Sequence, residues 1–249
     1  MWRGLLHLTW LEIKVFVREP MGLVGSVVIP VVFFVVLSRA LGGRGDRPPG
    51  AMATALLGDL PILVAMLIAL SAVQSLVTII AIYREGGILK RLRATPLRPH
   101  TILGAHVLVK LTFTAMSLAG MILVGRRYYP VPPDVPLVSF GVALLFVTLC
   151  ILSIGFLIAS LVPTARFAQP LGALLLYPML AVSGLFVPVA ALPPVGQALA
   201  RVLPLTYAVS LLRGVWRGEG WLVHVGDVGA LALVFGACLV LSSRLFRWE

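Results

Sequence analysis

LPILVAMLIALSAVQSLVTIIAIY, residues 60–83, carries no charged side chain and runs directly into REGGILKRLRATPLRP, residues 84–99, the dense charged stretch of the chain. An α-helix of about 20 apolar residues crosses the hydrocarbon core of a bilayer, roughly 30 Å. Residues 60–83 therefore read as a membrane span. Residues 84–99 read as what the span meets where it leaves the membrane.

Working outward, further apolar runs of similar length lie at 21–41, 103–125, 137–162, 167–187 and 228–245. With 60–83 they make six expected spans, and an even number puts both termini on one side. Pro30 falls inside the first, which a membrane helix tolerates where neighbours satisfy the freed carbonyl. GGRGDRPPG, residues 42–50, and RRYYPVPPDVP, residues 126–136, are connecting loops rich in turn residues. Residues 188–221 remain apolar but are cut by Pro188, Pro193, Pro194 and Pro204 into pieces of about ten residues, too short to cross. Such pieces are expected to be re-entrant or interfacial. The predicted fold is all-α and integral to the membrane. It has six transmembrane helices, an N-terminal amphipathic interfacial helix, and re-entrant helices before the last span. One membrane domain is expected over 1–249, with special segments at 1–19, 84–99 and 188–221.

Composition agrees. Hydrophobic residues make up 60% and charged residues 12%, against about 25% charged in a soluble domain. The formal net charge of +11 reads as Lys and Arg flanking spans and meeting anionic lipid. No basic arm or aromatic-basic motif points to nucleic acid. Arg84, Lys90, Arg91, Arg93 and Arg98 crowd one loop, so that loop and both termini are placed in the cytoplasm. Cys150 and Cys238 lie inside apolar runs without Cys or His at ligand spacing, and read as small packed residues. The first apolar run is long for a signal peptide and lacks a cleavage pattern, so it reads as a retained span.

Before that run, residues 1–18 project as an amphipathic helix. Arg3, His7, Lys14 and Arg18 fall on one narrow stripe, with Glu12 beside it and Leu5, Leu6, Leu8, Trp10, Ile13 and Phe16 on the rest. A helix of this kind suits the headgroup layer, and Pro20 separates it from the first span.

The chain offers little catalytic chemistry. The histidines, at 7, 100, 106 and 224, are scattered. No zinc-protease, Ser-x-x-Lys or nucleophile-elbow pattern occurs, nor a phosphate-binding Gly-x-x-x-x-Gly-Lys-Ser/Thr loop. No metal site is expected. ATP-driven work would need a nucleotide site on another chain. Within the spans, His106 and Lys110 lie four apart and share a helix face. An ionisable residue in a membrane is a functional candidate by default, although Lys110 reads more readily as an interfacial side chain that snorkels to headgroups. Gln74 and Gln169 are polar and read simply as bonding across helices, with Gln74 kept as a candidate. His106, Lys110 and Gln74 are therefore the candidate pathway residues.

The loop 84–99 has more design than topology demands. Gly86 and Gly87 break the incoming helix. Ile88, Leu89 and Leu92 then form an apolar face with Lys90, Arg91 and Arg93 around it, and Pro96 stops the turn. This stretch resembles the intracellular coupling segment of type-2 ABC exporter permeases. Ser183–Phe186, Leu192–Pro194 and Pro204–Tyr207 resemble the fifth span and re-entrant region of the same family, so that the resemblance covers essentially the whole chain. It implies two permease copies, identical or similar, paired with two ATP-binding cassette ATPase subunits that hold ATP and Mg. It also implies the bacterial inner membrane as location. By position, Glu85, Lys90, Arg91, Arg93, Thr95 and Pro96 would form the ATPase-coupling contact. The N-terminal helix would lie at the inner surface.

The expected function is the transmembrane subunit of an exporter, without its own nucleotide site. Spans lacking a buried charge pair favour a lipophilic or amphipathic cargo such as a drug, an antibiotic or a lipid-linked molecule. Polysaccharide or glycolipid export is the alternative within the family. A secondary transporter would show broken helices in both halves, and here the breaks lie near the C-terminus alone.

Overall fold

The structure, a computed structural model, describes residues 2–18, 24–41, 59–87, 99–128, 136–161 and 164–245. All secondary structure among them is helical. Helix α1 is Trp2–Arg18. A π-helical turn at Val24–Val28 leads into α2, Ile29–Leu41. Then follow α3 (Leu60–Glu85), α4 (Pro99–Tyr128), α5 (Leu137–Leu161) and α6 (Ala165–Val182). A 3₁₀ turn at Val189–Ala191 precedes α7 (Pro194–Val202), α8 (Pro204–Trp216) and α9 (Val225–Leu245).

The hub is α3, which packs against α2, α4, α5, α6 and α8. Leu60, Ile62, Met66, Leu70, Leu76 and Ile80 are sealed inside. Its tightest neighbour is α5, where Gly155 lets the two backbones close. A Cβ there would lie 2.7 Å from Val73 Cγ1. Small residues serve membrane helices in this way because lipid offers no hydrophobic drive to hold helices together, and close packing must supply it. Phe140 of α5 meets Trp216 of α8 edge to face, with ring centroids 5.0 Å apart. Helix α9 leans on α5 and α8 and turns Leu233, Leu239, Val240 and Leu241 outward.

Four of the six expected spans are helices long and apolar enough to cross alone: Leu60–Tyr83, Gly104–Val124, Leu137–Leu161 and Val225–Arg244. The expected spans at 21–41 and 167–187 correspond to shorter apolar helices, Val24–Leu37 and Arg166–Val182. Prolines explain their irregularity. Pro30 has no N–H to offer the carbonyl of Ser26 four residues earlier, and the chain widens into the π turn at that point. Pro170 and Pro178 sit inside α6. By length and composition the helices among the described residues give four crossings, or five if the bent pair α7–α8 counts as one.

That pair meets at 81°. Pro204 begins α8 directly after Leu203 closes α7, since a proline is welcome at a helix start and unwelcome inside one. The Tyr207 hydroxyl donates to the Arg201 carbonyl at 2.5 Å and fixes the corner. The expected segmentation at prolines 188, 193, 194 and 204 thus matches the helix boundaries.

Candidate functional site

An open cavity of about 760 Å³ lies among α3, α4, α6 and the π turn. One face of α3 supplies Ser71, Gln74, Ser75 and Thr78, spaced i, i+3, i+4 and i+7, so they form a polar stripe along an otherwise apolar helix. The Ser71 hydroxyl donates to the Ile68 carbonyl at 2.8 Å, and the Thr78 hydroxyl donates to the Gln74 carbonyl at 2.8 Å. These bonds spend the hydroxyl protons within the helix and leave oxygen lone pairs for other donors. Gln169 and Tyr177 of α6 line the opposite wall. At the back, Gln74 is pressed against Gly172, where a Cβ would lie 2.5 Å from Gln74 Oε1. That oxygen is buried without a hydrogen-bond partner.

Lys110 of α4 closes the cavity floor. Its ammonium donates to Ser75 Oγ at 2.6 Å, and the residue is 5% exposed. The amine turns inward to α3 and does not reach outward as a snorkelling side chain would, so that alternative is set aside. One turn earlier on the same face, His106 is also buried. Its Nε2 lies 3.8 Å from Glu12 Oε1. The Tyr83 hydroxyl reaches the same Glu12 oxygen at 3.4 Å, and the Tyr83 and His106 rings meet edge to face at 5.3 Å. No span carries a buried charge pair; α1 brings the Glu12 carboxylate near the His106 imidazole of α4, a contact that is ionic only with the imidazole protonated.

The expected site residues thus divide. Gln74 and Lys110 face one cavity, while His106 belongs to the neighbouring junction with α1. Glu85 is the exposed last residue of α3. The break expected after it is present. The Gly86 N–H donates to the Ile82 carbonyl at 2.9 Å, and Gly87 takes φ +65°, a left-handed conformation that glycine adopts freely at a helix end. Lys90, Arg91, Arg93, Thr95 and Pro96 lie outside the described residues. On α1, His7, Lys14 and Arg18 are exposed, and the Lys14 ammonium sits 5.9 Å over the Trp10 ring. The side chain of Arg3 lies outside the described residues. Glu12 is not part of this exposed stripe. With Thr9 it faces α4, while Leu6, Trp10, Leu11 and Val15 point away from the bundle.

At the opposite end of α3 a second polar cluster joins four elements. Arg213 of α8 donates to both oxygens of Asp59, at 3.2 and 2.8 Å, and to the Gly184 carbonyl at 3.0 Å. Gly184 has φ +87°, and a Cβ there would also meet Val189 at 2.9 Å. This is the physical reason for glycine in the Ser183–Phe186 motif. Nearby, His224 Nδ1 lies 2.8 Å from Asp227 Oδ2, and Nε2 lies 2.9 Å from Glu219 Oε2. Ser210 donates to the same Asp227 oxygen at 2.8 Å. The imidazole lies on Gly214, where a Cβ would come within 1.8 Å of Nε2. Burial opposes its positive charge, but the hydrogen bonds and charges of Asp227 and Glu219 outweigh this, and the His224 pKa is raised.

Sequence reasoning missed the roles of Glu12, Asp59, Tyr83, Arg213 and His224. One signal was present. The chain has 9 acidic residues against 20 basic ones, so each carboxylate bordering an apolar run was a candidate for a specific partner.

Apolar helices long enough to cross a bilayer, with a cavity of mixed polar and apolar lining among α3, α4 and α6, make this a multi-pass membrane protein. A family model described as ABC-2 type transporter matches residues 3–216, and the chain belongs to that family. Among curated proteins it is similar to the inner membrane transport permease YhhJ of Escherichia coli (strain K12), 29% identical over 170 residues, which covers 66% of this chain and 44% of the relative. It is also similar to nodulation protein J of Rhizobium meliloti (strain 1021), 33% identical over 96 residues, covering 38% of this chain and 36% of the relative. The chain thus spans less than half the length of the curated relatives it matches.

Proposed function

We propose that this chain is the transmembrane subunit of an ATP-driven exporter in a bacterial inner membrane. A separate ATP-binding cassette ATPase supplies the site for ATP and Mg. Two permeases, identical or similar, pair with two such ATPases. All six apolar helical segments cross the membrane with both termini cytoplasmic, and residues 188–221 enter and leave from the outer side. The coupling segment 84–99 passes motion from the ATPase to α3 and α4, which it joins. Family membership over residues 3–216 supports the transport role. The observation that carries the cargo reading is the cavity. It sets a polar stripe on α3 within reach of the apolar surroundings, an arrangement suited to an amphipathic molecule with a polar head and a lipophilic tail.

Its hydroxyl and amide lining gives the glycolipid alternative a specific footing against a purely apolar drug. Reconstitution tests the exporter reading. Vesicles holding the permease alone should show no ATP-dependent movement of a fluorescent amphiphile, and adding the ATPase should create it. Movement driven by a proton or sodium gradient in the permease alone would replace this reading with a secondary transporter.

A further inference from the structure

We propose that His224 is a proton-binding latch. With a proton on each ring nitrogen it ties Glu219 to Asp227 and holds the connection between α8 and α9 closed, and the loss of one proton opens that connection.

The proton count follows from the geometry. Nδ1 lies 2.8 Å from Asp227 Oδ2, and Nε2 lies 2.9 Å from Glu219 Oε2. An ionised carboxylate only accepts hydrogen bonds, and a neutral imidazole carries a single N–H. A neutral ring would therefore set a bare nitrogen against one carboxylate oxygen, lone pair to lone pair. Both contacts are hydrogen bonds only if the cluster holds one more proton. Ser210 already donates to Asp227 Oδ2 at 2.8 Å, which favours an ionised Asp227. Glu219 is 45% exposed, so water supports its charge. The extra proton thus belongs on the ring, and an imidazolium bridges two carboxylates.

The seat is shaped to the ring. It rests on Gly214 of α8, where any Cβ would strike Nε2. Ser210 and Gly214 are four apart and share that helix face. Little else fastens the connection. Between Arg217 and Gly226, His224 and Trp221 turn inward and the other residues are exposed. The closed arrangement is marked by four backbone bonds. The N–H groups of Glu219, Val223, His224 and Val228 donate to the carbonyls of Gly214, Gly220, Trp221 and His224 at 2.9, 3.1, 3.1 and 2.9 Å.

The charged groups facing the ring are Glu219 and Asp227. On α8, Arg213 and Arg217 turn instead to Asp59, at 2.8 and 3.8 Å. On α9 the next charged residue is Arg244, in the last turn. Helix α5, which also packs against α9, carries no charged side chain. Burial opposes the ring's charge, and the two carboxylates outweigh it. The latch therefore stays shut at a pH just above 6.5, where an ordinary histidine is mostly neutral, and opens as pH rises through the higher folded value. A shut latch fixes the start of α9 against α8, the helix whose Arg213 clasps Asp59 at the head of α3. In the proposed topology the connection lies on the outer face, so the latch reads the pH outside. That placement rests on the exporter topology, and the latch itself does not.

The test uses the full chain in lipid nanodiscs with ¹⁵N-labelled histidine. The histidines are 7, 100, 106 and 224, and subtracting the His224→Gln spectrum isolates His224. At pH 7 more than half of it should carry protons on both nitrogens, against about a quarter for an ordinary histidine. Hydrogen exchange over residues 217–228, corrected for its intrinsic pH dependence, should speed by about tenfold as the ring loses its proton. Gly214→Ala keeps every titratable group but pushes the ring from its seat. Its His224 midpoint should fall toward 6.5, and the exchange step should move with it. Glu219→Gln should also lower the midpoint, and it carries the test if Gly214→Ala does not fold. A ring with one N–H at pH 7 would overturn the proposal. So would exchange without a step at the ring's midpoint, or a wild-type midpoint in the folded variants. Vesicles of known orientation then separate the latch from the topology. A step that follows the pH on the outer face supports both. A step that follows cytoplasmic pH alone would remove the proposed topology and keep the latch.

Discussion

At the scale of single residues, the few carboxylates decide where the helices are pinned. Asp59 meets Arg213 of α8 at 2.8 Å, and Asp227 of α9 meets His224 at 2.8 Å while accepting from Ser210 of α8 at 2.8 Å. Partly buried, charge-assisted bonds of this kind are stronger than neutral ones and specify geometry. His224 has a measurable consequence. Its ordinary pKa is 6.5 and Asp227 and Glu219 raise it in the folded protein. A raised folded value means the protonated form stabilises the fold. That contribution is fully present below about pH 6.5 and is lost as pH rises through the folded pKa. Thermal unfolding of the permease in detergent should therefore show a melting temperature that falls across this window. His224→Gln should flatten the dependence there. A variant keeping the wild-type slope would show that another group is responsible.

At the scale of elements, prolines and glycines set where helices stop, and the stops place the site. Helix α3 ends at Glu85 with Gly87 in the left-handed region, and α4 starts at Pro99. Residues 88–98 join α3 to α4, both of which line the cavity. The Arg91→Glu/Arg93→Glu double variant changes charges outside the spans, so insertion and yield should be unaffected. Co-purification of the ATPase with this variant, or stimulation of ATP hydrolysis by it, should drop by about tenfold or more, since opposed charges at a contact cost several kcal/mol. Unchanged complex yield together with unchanged stimulation would remove the coupling role from this loop. Helix α4 extends the same logic. Its 30 residues reach about 45 Å, longer than the hydrocarbon core. Helix α1 packs along it, with Glu12 at the level of His106.

At the scale of the whole molecule, the open matter is how many segments cross and on which side the bent pair lies. If all six segments cross and α7–α8 is re-entrant from outside, single cysteines at Ala191 and Ala198 should both react with an impermeant thiol reagent applied externally. The background would lack Cys150 and Cys238. Both chosen residues are exposed, whereas Gln197 is better left alone, because its amide donates to the Ala190 and Leu192 carbonyls. Reaction at either site only from the cytoplasmic side would overturn the topology.

The helices themselves were legible without a structure. Apolar runs, prolines and glycines act locally, so the positions of α1, α3, α4, α5 and α9 and the cuts at Pro194 and Pro204 could be read one segment at a time. The resemblance likewise rested on local strings such as residues 84–99. Crossing lengths were read less well. At 165–182, Pro170 and Pro178 interrupt the helix and a turn at Ser183 ends it before the expected limit of 187. The site was legible only as isolated letters. Gln74 and Lys110 stood out as polar residues in apolar helices. That they share a cavity with Gln169, while His106 turns instead to Glu12, depends on how α3, α4, α6 and α1 rotate against one another. That rotation is fixed by contacts between residues far apart in the chain: Gly172 against Gln74, Gly155 against Val73, Arg213 on Asp59. Helical periodicity places each side chain around its own axis, but only packing decides what it faces.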